Sequence, residues 1–241
     1  MKSIKIMSCI LAAGMLFTSC NMSNTGKGAL IGGGSGAAVG AGLGAIFGKG
    51  KGAAIGAAVG AAVGAAVGTT AGALIGKKMD KAAEQAKQVE GAQVEQVTDN
   101  NGLQAVKVTF DSGILFSTSS SNLSSSAKSS LSKFANDVLN QNRDMDVTIY
   151  GYTDNQGWKN STAEQSYQKN LNLSQERAQS VASYLLACGV STNQIKSVQG
   201  MGEANPIADN STAAGRQENR RVEIYLYASQ QMIQQAEAGT L

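Results

Sequence analysis

Glycine recurs at positions 28, 32, 36, 40, 44, 48, 52, 56, 60, 64, 68, 72 and 76, thirteen residues at an unbroken spacing of four. On a helix of about 3.6 residues per turn, that spacing holds the glycines near one slowly drifting stripe, the close-approach surface of small-residue helix packing. Thirteen glycines cost a helix on the order of 10 kcal/mol relative to alanine, so contact along the stripe must offset the loss. Two charge-free stretches carry the register, 28–48 and 52–76, separated by Lys49-Gly50-Lys51 and bounded by Lys27 and Lys77-Lys78. Each is long enough, at roughly 20 residues or more, to cross a bilayer as a helix. The pattern predicts a helical hairpin over 28–76 with its two glycine faces together, crossing right-handedly because the repeat exceeds 3.6. A Gly/Ala linker competes with this reading, but flexible linkers are polar and Ser-rich. Alanine and glycine drive a helix only weakly into lipid, so both membrane insertion and stacking into a homo-oligomer stay open.

Ahead of the register, Lys2 and Lys5 precede the apolar run 10–17, and Thr18-Ser19 stand directly before Cys20. A basic start, a short apolar core and small residues at a cleavage point predict an export signal over 1–19. Behind it, residues 77–101 mix Lys77, Lys78, Asp80, Lys81, Glu84, Lys87, Glu90 and Glu95 with Ala82, Ala83, Ala86, Val89 and Val94. Strong helix formers with both signs of charge predict a helical spacer, about 30 Å long at roughly 1.5 Å per residue.

The chain has no histidine, which excludes a Ser-His-Asp triad, a Cys-His pair and imidazole metal ligation. The formal charge of +3 falls to +1 once Lys2 and Lys5 leave with a signal, and residues 100–227 balance eleven basic against eleven acidic side chains. No basic face for nucleic acid is indicated. Of three cysteines, Cys9 lies in the signal, Cys20 at its end, and Cys188 in the apolar end of a helix, so no disulfide framework is available.

From Gly102 the hydrophobic period switches between two and 3.6. Val106, Val108 and Phe110 read as a strand. Leu123, Ala127, Leu131, Phe134, Val138 and Leu139 form one helical stripe. Residues 147–151 make a second strand. Ser174 reads as the cap of a helix carrying Ala178, Val181, Ala182 and Leu185, closed by Gly189. Residues 195–199 and 222–226 complete four strands. The order β-α-β-α-β-β over 102–228 predicts an α+β sandwich, and 229–241 reads as a polar tail.

Asp154 follows the second strand at its C-terminal end, where loops present functional groups. Arg177, three residues after Ser174, opposes a helix dipole unless an anion docks at that N-terminus. Asn219-Arg220-Arg221 opens the last strand. From spacing alone, a surface ion pair, even Asp154 with Arg177, explains these residues better than a binding site does.

Several motifs then coincide with a known family. Gly151-Tyr152-Thr153-Asp154, Asn170 with Leu173-Ser174-Gln175-Glu176-Arg177-Ala178, Gly200-Met201-Gly202-Glu203 with Pro206, and Asn219-Arg220-Arg221-Val222-Glu223 resemble, in order, the motifs of the OmpA-like peptidoglycan-binding domain over about 104–227. Thr18-Ser19-Cys20 is similar to a bacterial lipobox, with Phe17 where Leu is usual, and 28–76 resembles the glycine zipper of certain outer-membrane lipoproteins. The whole chain is similar to YiaD-like lipoproteins. The resemblance implies lipidation at Cys20, a mature N-terminus over 20–27, outer-membrane anchoring (Asn21 rather than Asp follows the cysteine) and a C-terminal domain in the periplasm. It also implies that Asp154 holds the ammonium and Arg177 the carboxylate of a diaminopimelate side chain in peptidoglycan stem peptides, with Thr153, Asn170 and Arg220 lining the pocket. It implies no catalytic residue, cofactor or metal. Two departures stand out: Tyr152 where the family has His, and a longer segment over 155–169 containing Trp158.

A non-catalytic tether between membrane lipid and wall is the expected function. A flagellar stator-like subunit needs an acidic residue in its N-terminal span for proton flow, and residues 28–76 contain none. An oligomeric zipper assembly or pore that uses the wall domain as an anchor is the alternative. A hydrolase working through Asp154 and Glu164 fits the paired basic and acidic motifs less well.

Overall fold

The computed structural model describes residues 69–99 and 102–241. The expected lipidation at Cys20 and residues 28–68 of the glycine hairpin lie outside the described residues. The described chain opens with helix α1 (Thr69–Lys87), then strands β1 (Ala92–Thr98) and β2 (Gln104–Asp111) and the single turn α2 (Ser112–Leu115). Helix α3 (Ser125–Phe134), which runs into a π turn (Ala135–Leu139), leads to β3 (Met145–Gly151) and the long helix α4 (Ala163–Ala187). Strand β4 (Ile195–Gly200), α5 (Ala213–Asn219), β5 (Arg221–Ala228) and α6 (Gln230–Glu237) follow. The five strands form one sheet in the order β1-β2-β5-β3-β4, antiparallel throughout except for β3 beside β4. The α+β architecture read from the periodicities is the one observed.

Alternation sets the layers. Val106, Val108 and Phe110 of β2, Val147 and Ile149 of β3, and Val222, Ile224 and Leu226 of β5 point to one face. There they meet Leu131 and Phe134 of α3 and Ala178, Val181 and Leu185 of α4, all fully buried. Phe110 and Phe134 meet edge to face, ring centroids 5.8 Å apart.

The region expected as a helical spacer is instead part of the domain. Ala71, Ile75, Met79, Ala82, Ala83 and Ala86, at helical spacing, are buried in the same core. Asp80 of this helix accepts from Gln96 and Gln104, tying it to β1 and β2, and Lys78 pairs with Asp144. The helix ends at Lys87, the chain reverses at Gly91 with φ +77°, and 92–98 pairs antiparallel with β2. The polar tail is likewise a helix: Ser229 caps α6, and Met232, Ile233 and Ala236 are buried against the core.

Helix α4 crosses β3 and β4 at very short range. A Cβ on Gly151 would lie 2.2 Å from the Ser174 carbonyl oxygen, and one on Gly200 would lie 2.3 Å from the Gln175 nitrogen. Both neighbours are backbone, so neither can move without shifting the helix. Gly151→Ala is therefore expected to lower stability by about 1–3 kcal/mol, read as a reduced midpoint in urea unfolding. At the same crossing, the Gln175 side chain donates to Val198 O at 3.3 Å and accepts from Gly200 N at 2.6 Å. Its amide thus occupies backbone groups of β4, an edge strand, with which another strand would otherwise pair.

Candidate ligand-binding pocket

Asp154 sits just past the C-terminal end of β3 with 7% of its surface exposed. One carboxylate oxygen accepts from Gln156 N at 3.1 Å, and the other accepts from Arg220 Nη1 at 2.5 Å. Arg220 is the residue between α5 and β5, so the pair joins elements 66 positions apart in sequence. Thr153 donates its amide to Gly202 O at 2.8 Å, while its buried hydroxyl oxygen has no partner. Asn170, on α4, donates its amide nitrogen to Asp154 O and Gln156 O and accepts from Trp158 Nε1.

Arg177 projects from the same helix, 4% exposed. Its Nε donates to Ser120 O at 3.0 Å, and the guanidinium carbon lies 5.2 Å from the centre of the Phe116 ring. Burial pulls its pKa below the usual arginine value, the nearby charge of Arg220 adds to that, and Asp154 opposes it. Among the described residues no carboxylate forms an ion pair with Arg177. Among the described residues two guanidiniums thus lie about one carboxylate, and this trio carries a net positive charge. A carboxylate at the unused Nη edge of Arg177 and an ammonium at the free lone pairs of Asp154 would satisfy both. Among the described residues no cluster of acidic or cysteine side chains could hold a metal ion.

All five residues expected in the pocket come together, but the reason for expecting Arg177 there was wrong. Helix α4 is capped by Thr162, in a capping box with Gln165, not by Ser174. Ser174 is fully buried mid-helix, donating to Leu171 O and accepting from Gly202 N. Arg177 thus lies in the interior of α4 and not at that helix's N-terminus, and its charge is set beside Asp154 and Arg220. Nor does Asp154 pair with Arg177; its partner is Arg220. The segment 155–169 is a loop only as far as residue 162, after which α4 begins.

Tyr152 is not a pocket wall. Its ring packs with Tyr150 and Tyr225, the Arg221 guanidinium lies 3.8 Å from the ring centre, and its hydroxyl meets Glu223. Arg221 and Glu223 form a buried ion pair at 2.7 Å, and Tyr225 donates to Glu223 at 2.9 Å. Burial, with the charge of Glu223 in support, raises the pKa of Tyr152 and of Tyr225 far above the normal phenol. Burial first also pushes Tyr150 and Tyr227 from 10.0 up to about 12. Stability contributed by these protonated phenols is complete below the unfolded value near pH 10 and is lost as pH climbs through the folded values. The share of the tyrosinate absorbance that comes from these four phenols is accordingly expected to appear together with loss of circular dichroism above about pH 10.

Ser120 and Phe116, which hold Arg177, were missed because the Ser-rich run 117–126 reads as the start of a helix. The chain instead makes a loop, with Ser119 at φ +54°, before Ser124 caps α3.

The OmpA family model matches residues 115–220, and the model described as a YMGG-like Gly-zipper matches residues 1–70. Lipoprotein YiaD of Escherichia coli is 44% identical over 119 residues, 49% of this chain and 47% of that protein. Outer-membrane lipoprotein YfiB of Pseudomonas aeruginosa is 38% identical over 117 residues, 48% of this chain and 64% of that protein. Peptidoglycan-binding protein ArfA of Mycobacterium tuberculosis is 49% identical over 88 residues, 36% of this chain and 24% of that protein. The chain thus spans about a quarter to two thirds of the length of these relatives. A MotB-like protein of Desulfovibrio vulgaris has a similar fold, with a TM-score of 0.53 at 23% identity, over 64% of this chain and 93% of that one.

Proposed function

Because the chain carries an OmpA family domain behind a Gly-zipper segment, we propose that it is a non-catalytic tether between the outer membrane and the cell wall. Lipid on Cys20 anchors one end. At the other, the periplasmic pocket binds the diaminopimelate side chain of peptidoglycan stem peptides. The observation that carries this reading is Arg177, a cation 4% exposed whose side chain, among the described residues, donates one hydrogen bond, from Nε to Ser120 O. A buried charge without an ion-pair partner costs several kcal/mol, and a carboxylate ligand offsets that cost. Asp154 beside it accounts for the second half of a zwitterion, an ammonium on the same carbon. Thr153, with its unpartnered hydroxyl, Asn170 and Arg220 complete the pocket. That relatives of the chain are named as lipoproteins and as a peptidoglycan-binding protein supports the same reading.

The chemistry makes a selective prediction. Lysine presents the ammonium of diaminopimelate without the adjacent carboxylate, so it leaves Arg177 unpaired. The full chain is expected to sediment with purified diaminopimelate-type peptidoglycan, to be released by free meso-diaminopimelate, and to stay in solution with lysine-type peptidoglycan. Equal retention on both wall types would refute the Arg177 assignment.

A further inference from the structure

Trp158 lies in the loop 152–162 and is the chain's sole tryptophan. Its indole nitrogen donates to Asn170 Oδ1 at 2.7 Å. The opposite end of the Asn170 amide donates to Asp154 O at 3.4 Å and Gln156 O at 3.2 Å. Indole nitrogen is a donor only, so this contact decides which way the amide faces: oxygen to Trp158, nitrogen to the two carbonyls. Those carbonyls flank the turn in which Gln156 N donates to the Asp154 carboxylate at 3.1 Å. The turn is thus held at its backbone by Asn170 and at its side chain by Gln156. Both hydrogens of the Asn170 amide are committed to the turn, and the residue is 4% exposed.

The indole is itself fixed. The Trp158 backbone nitrogen donates to Ser166 Oγ at 3.0 Å, and Lys169 Nζ lies 5.8 Å from the ring centre while donating to Ser161 Oγ at 2.9 Å. We infer that Trp158 is a positioning residue that acts through Asn170 to set the pose of the Asp154 carboxylate. This rests on the diaminopimelate reading of the pocket and adds to it a role for the loop segment that distinguishes this chain.

The test titrates the full chain with meso-diaminopimelate by calorimetry. Trp158→Phe keeps the ring and removes the donor, leaving Asn170 Oδ1 unsatisfied and the amide free to turn; it is expected to weaken binding about tenfold. Asn170→Leu should weaken it similarly, and the double variant should be no weaker than the weaker single variant, because both changes break one relay. The emission maximum of Trp158 in the wild type should hold its position on saturation, since the indole does not touch the ligand. Wild-type affinity in Trp158→Phe, an undiminished effect of Trp158→Phe in the Asn170→Leu background, or a ligand-induced emission shift would each overturn the inference while leaving the pocket reading intact. A wild-type chain with no saturable binding would overturn both.

Discussion

Asp154→Asn is expected to abolish retention of the chain on purified peptidoglycan, with a loss of about 2–4 kcal/mol, on the order of 30- to 1000-fold in affinity. The substitution preserves shape and changes charge alone. Among the described residues Asp154 is the acidic side chain set between Arg177 and Arg220, and without it an incoming ammonium meets the two guanidiniums unscreened. The fold should survive, because Arg220 keeps 34% of its side chain exposed and can return to water at small cost. An unfolding midpoint near that of the wild type, together with lost retention, separates a binding defect from a folding one. Retention at wild-type level would remove Asp154 from the site.

The second large effect concerns where the domain begins. A fragment covering 102–241, the boundary that periodicity indicates, is expected to lose cooperative unfolding, whereas 69–241 keeps it. The shorter fragment lacks Ile75 and Met79, both fully buried, and fully burying a side chain of that size contributes about 1.5–3 kcal/mol. Two such losses approach the lower end of the roughly 5–15 kcal/mol that holds a domain together. Strand β1 goes as well, leaving the hydrogen-bonding groups of β2 that face it unpaired. Met79→Ala in the longer fragment, expected to cost about 2–5 kcal/mol, gives a graded version of the same test by thermal circular dichroism.

Strict alternation in β2 and β5 and the 3.6 period in α3 made the central sheet and its covering helices legible. What escaped had ambiguous spacing or the wrong polarity. Val94 and Val97, three apart, fit a helix as well as a strand, and only the pairing of 92–98 with β2 decides between them. The first turns of α4 bury Ser166, Asn170 and Ser174, so this helix turns a polar stripe inward, and no apolar period announces it. The polarity has a local reason, since that stripe faces the Asp154 turn and Gly202. Asp154, Arg177, Thr153, Asn170 and Arg220 were readable from ordered motifs. The partnership of Asp154 with Arg220 was not, because it depends on how β3 and β5 lie side by side.

Gly72 and Gly76, the last two members of the glycine register, are buried in α1 against the folded domain. Between the end of the register and the pocket there is thus no slack cord of chain. A load applied at the candidate pocket reaches α1 through the sheet and its packed core, so the helix would have to be peeled from its seat before the chain between them could lengthen. In the tether proposed above, the part of the link that runs from α1 to the pocket therefore has a fixed length, and drawing it out first draws on the folding energy of the domain.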